Sequence, residues 1–203
     1  MIHRPEEFEA MYATTPPWDI GHPQPVFQAL AGSGAIRGRV LDVGCGTGEH
    51  ALMTAALGLE ATGIDSSPTA ISRAEAKATE RRLIARFLVW NALELASLGG
   101  LFDTVLDSGL FHVFDDADRH RFVESIRSVV PAGGRYFMLC FSERQSGDFG
   151  PRRVTQSEIR SSFDDGWRVD SIEPAKLEVG MIPERIPDGP DGIAAWRASL
   201  TRI

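Results

Sequence analysis

From Arg39 onward, short apolar runs alternate with stretches of helical periodicity, and this alternation restricts the fold more than any other feature of the sequence. "RVLDV" (39–43), "LEATGID" (59–65), "ARFLVW" (85–90), "FDTVLDSG" (102–109) and "GRYFMLCF" (134–141) read as buried strands: they are short, rich in branched and aromatic side chains, and bounded by turn residues. "EHALMTAAL", "SPTAISRAEAKATERR", "DDADRHRFVESIRSVV" and "TQSEIRSSF" read as helices. The second opens with Ser67 at the N-cap and Pro68 at the first helical position, and the third sets Phe122, Ile126, Val129 and Val130 on one face. The fourth has Thr155 and Glu158 at capping-box spacing. "WRVDSIEP" and "IAAWRASLTRI" read as two closing strands. Such alternation predicts a largely parallel sheet with helices on both faces, whose ligand lies beyond the carboxyl ends of the strands where the strand order reverses. Gly44, Asp65, Asn91 and Asp107 follow or end strands and fall there.

The 203 residues, 43% hydrophobic and 24% charged, fit a single domain, 1–203. No apolar run approaches a membrane span, and the opening "MIHRPEEFEAMY" is too polar and acidic for a signal or transit peptide. Two cysteines make no disulfide framework, so a reducing, cytoplasmic setting is expected. A net charge of −7, with basic pairs only at Arg81-Arg82 and Arg152-Arg153, argues against nucleic acid as a partner. The expected partner is a small molecule, with the chain a monomer or homodimer. Metal-ligand spacings are missing, and Asp115-Asp116 reads as a helix cap, so no metal is expected. Two segments stand outside the alternation and show no regular period. Residues 1–36 carry "TTPPWDIGHPQP", and 176–193 form a proline-rich insertion in the core, 37–203. Each reads either as surface connection or as a cover for the site.

The first strand runs into "GCGTGEH". Glycine lets a backbone approach a ligand closely, so the loop is a candidate nucleotide site. The sixth position of the dinucleotide fingerprint is Glu49 rather than glycine, an acid expected to repel a pyrophosphate, and no Gly-Lys-Ser/Thr follows. An NAD(P)-dependent oxidoreductase therefore stands as the alternative of a different class.

"LDVGCGTG" resembles the first motif of the class I S-adenosylmethionine-dependent methyltransferases. The resemblance implies a Rossmann-like α/β fold: a seven-stranded, mostly parallel sheet, helices on both faces and an antiparallel last strand, here Ala194–Arg202. It implies S-adenosyl-L-methionine as cofactor, with Gly44, Gly46 and Gly48 beneath its amino acid part. That cation suits a site holding Asp42 and Asp65. Asp65, about twenty residues past the glycines, sits where an acid reaches ribose hydroxyls, with Ser66 beside it. Asn91 stands where family members often carry an aspartate against the adenine amino group; its carbonyl oxygen can accept the same bond, and the Ala92 backbone is a second candidate.

"YATTPPWDIGHPQPVF" is similar to the N-terminal segment of the thiopurine, thiol and halide methyltransferases and of bacterial enzymes that methylate small heterocyclic toxins, with Trp18, Asp19 and Gly21 in place. There a tryptophan-bearing segment folds over the cofactor, so Trp18 is a cofactor candidate as well as a core anchor. Phe8 and Tyr12 are first explained as the packing face of a short helix. "FDTVLDSGLFHVF" is similar to the fourth-strand motif of the same group. Asp107 is expected to fix the loop beside the methionine moiety. His112 is the candidate general base for a thiol, N-hydroxyl or phenol acceptor, with a packed, hydrogen-bonded histidine as its bland counterpart. The implied activity is methyl transfer to an N, O or S nucleophile of a small heterocyclic or aromatic molecule, with a thiol or halide acceptor as the nearer alternative.

Overall fold

The structure is a computed structural model that describes residues 5–148, 150–180 and 192–203. Two helices, α1 (Pro5–Met11) and α2 (Pro25–Gly32), precede β1 (Arg39–Val43). There follow α3 (Glu49–Ala56), β2 (Glu60–Asp65), α4 (Pro68–Arg81) and β3 (Arg86–Val89). A 3-10 turn at Ala92–Ser97 leads to β4 (Thr104–Ser108), and a second at Phe111–Val113 leads to α5 (Asp116–Val129). The chain closes with β5 (Arg135–Phe141), α6 (Gln156–Ser162), β6 (Trp167–Leu177) and β7 (Ile193–Arg202).

The seven strands form one sheet in the order β3-β2-β1-β4-β5-β7-β6. Strands β1 to β5 are mutually parallel, and β7 runs antiparallel between β5 and β6. The order reverses between β1 and β4, so the crevice opens at their carboxyl ends. Strand alternation divides the core. Leu41, Val43, Val105, Tyr136, Met138 and Cys140 face the layer that holds α5 and α6. Val40, Leu106, Phe137 and Leu139 face α2 through Phe27 and Leu30. Ala51, Leu52, Ile71 and Ala74 of α3 and α4 enclose Phe87. Cys45 and Cys140 are buried free thiols.

The expected local signals act as read. Ser67 accepts the Ala70 N–H at the N-cap of α4, Asp115 accepts the Asp118 N–H at that of α5, and Thr155 and Glu158 close a capping box. Two readings need correction. Residues 1–36 are not irregular throughout, because α1 and α2 lie within them. Pro25 stands at the first helical position, where its missing N–H costs nothing, and Phe27 and Leu30 bury the helix face. In the 176–193 segment, Lys176 and Leu177 belong to β6 and Ile193 to β7, while 181–191 lie outside the described residues. Strand β6 runs through Pro174 because it is an edge strand, where a proline is tolerated.

Candidate active site

The three glycines of the loop after β1 have left-handed backbones, φ +64° at Gly44, +53° at Gly46 and +87° at Gly48, and each leaves room for something different. A Cβ on Gly44 would meet Leu110 at 3.2 Å, and one on Gly46 would meet the Tyr12 hydroxyl at 2.9 Å. One on Gly48 would strike Phe87 at 2.8 Å and Ala74 at 2.9 Å. Gly48, the N-cap of α3, thus serves helix packing, whereas Gly44 and Gly46 shape the crevice side.

Three acids lie around this loop. Asp65 accepts the Gly46 N–H and the Ser67 N–H, both at 2.9 Å, and so ties the glycine loop to the end of β2 and the start of α4. Asp42 is buried in β1 and accepts the Ala51 N–H at 3.1 Å. Burial, followed by the nearby Asp107 and Asp65 charges, pushes its pKa up to about 8 despite that bond. Asp107 is fully buried and gathers the Leu110 N–H at 2.8 Å, the Phe111 N–H at 3.1 Å and the Tyr136 hydroxyl at 2.6 Å. Burial still raises it to about 7. Asp107 therefore fixes the turn after β4. A buried acid whose pKa is raised by neighbouring carboxylates, as that of Asp42 is, marks a place where a cation is stabilised.

Glu49 carries a correction. It does not aim at the crevice: Lys77 at 2.7 Å and Arg81 at 2.8 Å hold it against α4, and together they keep its carboxyl below the usual range even though burial opposes them. Repulsion of a pyrophosphate is therefore not what sets this loop apart from a dinucleotide site.

The N-terminal segment reaches over the loop. Tyr12 is buried with its hydroxyl accepting the Trp18 Nε1–H at 3.0 Å, and Trp18 meets Phe8 and Tyr12 edge-on while remaining 37% exposed. The Arg73 guanidinium donates to the Tyr12 carbonyl at 2.7 Å, and Glu9 accepts from the Ser67 and Thr69 hydroxyls at the start of α4. Thr47 donates to Asp19 at 2.7 Å. Tyr12 is thus more than a packing residue, and Glu9, Asp19 and Arg73 join it in fastening the segment to the loop and α4. Sequence reasoning missed these contacts because they span 28 to 61 residues, and only the resemblance around Trp18 and Asp19 signalled the segment. Further along, the Gln24 amide clasps the Glu178 backbone by two bonds of 2.8 Å, and the Gly180 N–H donates to the Pro17 carbonyl at 2.8 Å. The two segments outside the strand–helix alternation therefore meet.

Asn91 sits past β3, and its Oδ1 accepts the Leu93 N–H at 3.0 Å, capping the following turn beside Ala92. His112 is buried in the turn after β4. Its Nδ1 accepts the Phe141 N–H at 3.0 Å and its ring packs edge-on against Phe141 at 4.8 Å. Burial first, then the Arg153 and Arg119 charges, lowers its pKa to about 3. His22 is exposed, 3.6 Å from Glu178. Among the described residues, no group of three or more His, Cys, Asp or Glu side chains is placed to hold a metal, and no helix is long and apolar enough to cross a membrane.

Residues 40–134 match the methyltransferase domain family. Over 168 residues the chain is 38% identical to a 2-heptyl-1-hydroxyquinolin-4(1H)-one methyltransferase of Mycobacteroides abscessus, a match covering 81% of this chain and 74% of that protein. A structure solved in work on the conversion of a disulfide bond into a thioacetal group during echinomycin biosynthesis is 36% identical, with a TM-score of 0.88 over 98% of this chain and 93% of its own. The magnesium protoporphyrin IX methyltransferase of Synechocystis PCC 6803 with bound S-adenosylmethionine shares the fold at 20% identity, with a TM-score of 0.66 over 88% of this chain and 76% of its own. The nicotinamide alternative gives way to these findings. With its glycine loop, its sheet order and its reversed β7, the chain belongs to the class I S-adenosylmethionine-dependent methyltransferases.

Proposed function

We propose that the protein transfers the methyl group of S-adenosyl-L-methionine to an N, O or S nucleophile of a small heterocyclic or aromatic molecule, in the cytoplasm, without a metal. The observation that carries this reading is the similarity to the M. abscessus quinolone enzyme, which extends over 81% of the chain. The acids around the loop fit the cofactor, because a sulfonium and an ammonium supply the positive charge that Asp42, Asp65 and Asp107 favour. In this reading Asp65 uses its remaining lone pairs for the ribose hydroxyls, with Ser66 alongside. Gly44 and Gly46 lie beneath the amino acid part, Gly48 sets the helix that follows, and Asp42 stands under the loop. The Ala92 backbone takes the adenine amino group more readily than Asn91, whose oxygen is engaged in its cap. Trp18 and Tyr12 cover the cofactor from residues 1–36, and Asp107 keeps the turn after β4 in place.

Bound cofactor supplies an activated methyl group, so the protein's own task is alignment and exclusion of water. The expected base role of His112 is not retained. Its Nδ1 lone pair is engaged, so the neutral ring carries its proton on Nε2 and is a donor. The test is a panel of quinolones, phenols, thiols and halides with isotopically labelled cofactor, read by mass spectrometry. Label in an aromatic or heterocyclic product supports the reading; label only in halides or aliphatic thiols replaces it with the detoxification alternative.

A further inference from the structure

A chain of side chains runs from α4 through the glycine loop to the N-terminal segment. Thr47, between Gly46 and Gly48, is buried, and its one hydroxyl is used twice. It donates to Asp19 Oδ1 at 2.7 Å and accepts from Lys77 Nζ at 2.6 Å. Lys77 donates as well to Glu49 at 2.7 Å and stands 3.7 Å from the Asp19 carboxylate. Both terminal nitrogens of Arg81 grip Glu49 in turn, at 2.8 and 2.9 Å. The side chains of Lys77, Asp19 and Glu49 are 23%, 13% and 9% exposed, so salt screens these charges less than it screens surface pairs. Local structure puts Lys77 there. Ala74, three residues earlier on α4, sits 2.9 Å from where a Gly48 Cβ would stand, so the bare glycine lets the helix approach the loop. Lys77 and Arg81 lie one turn apart on one helix face, and both reach Glu49 at the start of α3.

The chemistry gives this chain a direction. An ammonium only donates and a carboxylate only accepts. Thr47 has one hydroxyl proton, so accepting from Lys77 leaves that proton for Asp19. Asp19 follows Trp18, whose indole N–H is given to Tyr12, and the Tyr12 hydroxyl abuts Gly46. Without the Lys77 ammonium, the Thr47 hydroxyl is free to turn elsewhere, and Asp19 loses the cation it shares with Glu49. We infer that Lys77 is a positioning residue for the methyl donor: through Thr47 it holds Asp19, and with it Trp18, over the glycine loop, and so slows release of the cofactor and its demethylated product. The inference rests on the reading that Trp18 and Tyr12 cover the cofactor, and it assigns to α4 a part in closing that cover. A cover that must lift before a ligand leaves acts first on the dissociation rate.

The test follows release of tritiated S-adenosylhomocysteine from the whole protein into an excess of the unlabelled compound. Wild type is compared with Lys77→Met, Thr47→Val, Thr47→Ser, Asp19→Ala and the double variant Lys77→Met/Asp19→Ala, with urea denaturation of each measured alongside. Lys77→Met and Thr47→Val should each release the compound about tenfold faster, the loss expected for one charge-assisted hydrogen bond. Thr47→Ser keeps the hydroxyl and should stay within about twofold of wild type. Once Asp19→Ala has removed the acceptor, adding Lys77→Met should change the rate by less than about twofold. A residue that served only to hold Glu49 against α4 would speed release by the same factor in both backgrounds, or not at all, whatever it did to the urea midpoint. Either result overturns the inference, as does a Thr47→Val rate equal to that of wild type or of Thr47→Ser, and the Thr47 pair decides alone if Lys77→Met fails to fold. These outcomes leave the cofactor reading standing, whereas a wild type that binds no S-adenosylhomocysteine overturns that reading and the inference with it.

Discussion

The approach of Tyr12 to Gly46 can be tested by a substitution whose cost divides into two parts. Gly46→Ala asks an alanine to adopt φ +53° and places its Cβ 2.9 Å from the Tyr12 hydroxyl. A left-handed backbone costs an L-residue about 1–2 kcal/mol. Displacing the hydroxyl breaks its 3.0 Å bond from the Trp18 Nε1–H, a loss of about 1 kcal/mol. The single substitution should therefore destabilise by roughly 2–3 kcal/mol. Tyr12→Phe alone should cost about 1 kcal/mol by removing the same hydrogen bond. In the double variant the added methyl meets no hydroxyl, so only the backbone part and one lost bond remain. It should be no less stable than Gly46→Ala, a departure from additivity of about 1 kcal/mol. Urea denaturation of the four proteins measures this cycle, and titration with S-adenosylhomocysteine measures the effect on the site. Strictly additive losses would refute the contact between the N-terminal segment and the glycine loop.

Asp42→Asn keeps an acceptor for the Ala51 N–H while removing a buried acid whose pKa is raised to about 8. The folded chain holds that proton in a range where the unfolded chain has released it, so Asp42 lowers stability progressively as pH rises from about 4 to 8. The variant should be more stable than wild type at pH 7, and urea denaturation should show that advantage shrinking by about 1.4 kcal/mol per pH unit on acidification towards pH 4. Gln24→Leu should leave two Glu178 backbone groups without partners, at about 1–3 kcal/mol each, and hydrogen exchange should show the Glu178 and Gly180 amides losing protection before the sheet does. Removing residues 1–20 should weaken S-adenosylhomocysteine binding at least about tenfold by calorimetry, since Tyr12 and Trp18 leave with them; undiminished affinity would return Trp18 to the role of a core anchor.

The sequence signals that proved sufficient were local and periodic. The runs around Leu41, Val105 and Phe137 name their strands because alternate residues must face two different layers, and Ser67, Asp115 and Thr155 name helix starts because the chemistry of a cap lies within three residues. Helix α2 was not legible because a proline-rich stretch precedes it and proline both breaks and begins helices; the burial of Phe27 and Leu30 shows which applies. Glu49 misled because its charge was read without Lys77 and Arg81, some thirty residues away on α4. The tautomer of His112 depends on the Phe141 backbone, 29 residues later at the end of the neighbouring strand, which no spacing rule reaches. The glycine loop was legible because its geometry is a property of one strand–turn–helix unit, and Asp65 because it ends the parallel strand paired beside it. The segment above them was not, because its contacts pair distant parts of the chain.

The placement of β7 bears on how the molecule is assembled. Strand β6 pairs only with β7, along ten registered positions with one irregularity at Val169/Ser171, and β7 lies between it and β5. As the polypeptide is made, β6 therefore appears before its one partner among the described strands. Its exposed amide row must wait, and the gap beside β5 must stay unfilled by β6 itself until the later segment slides between them. Until β7 is in place the chain presents two bare sheet margins at once, the state in which mispairing with a neighbouring chain is most to be expected.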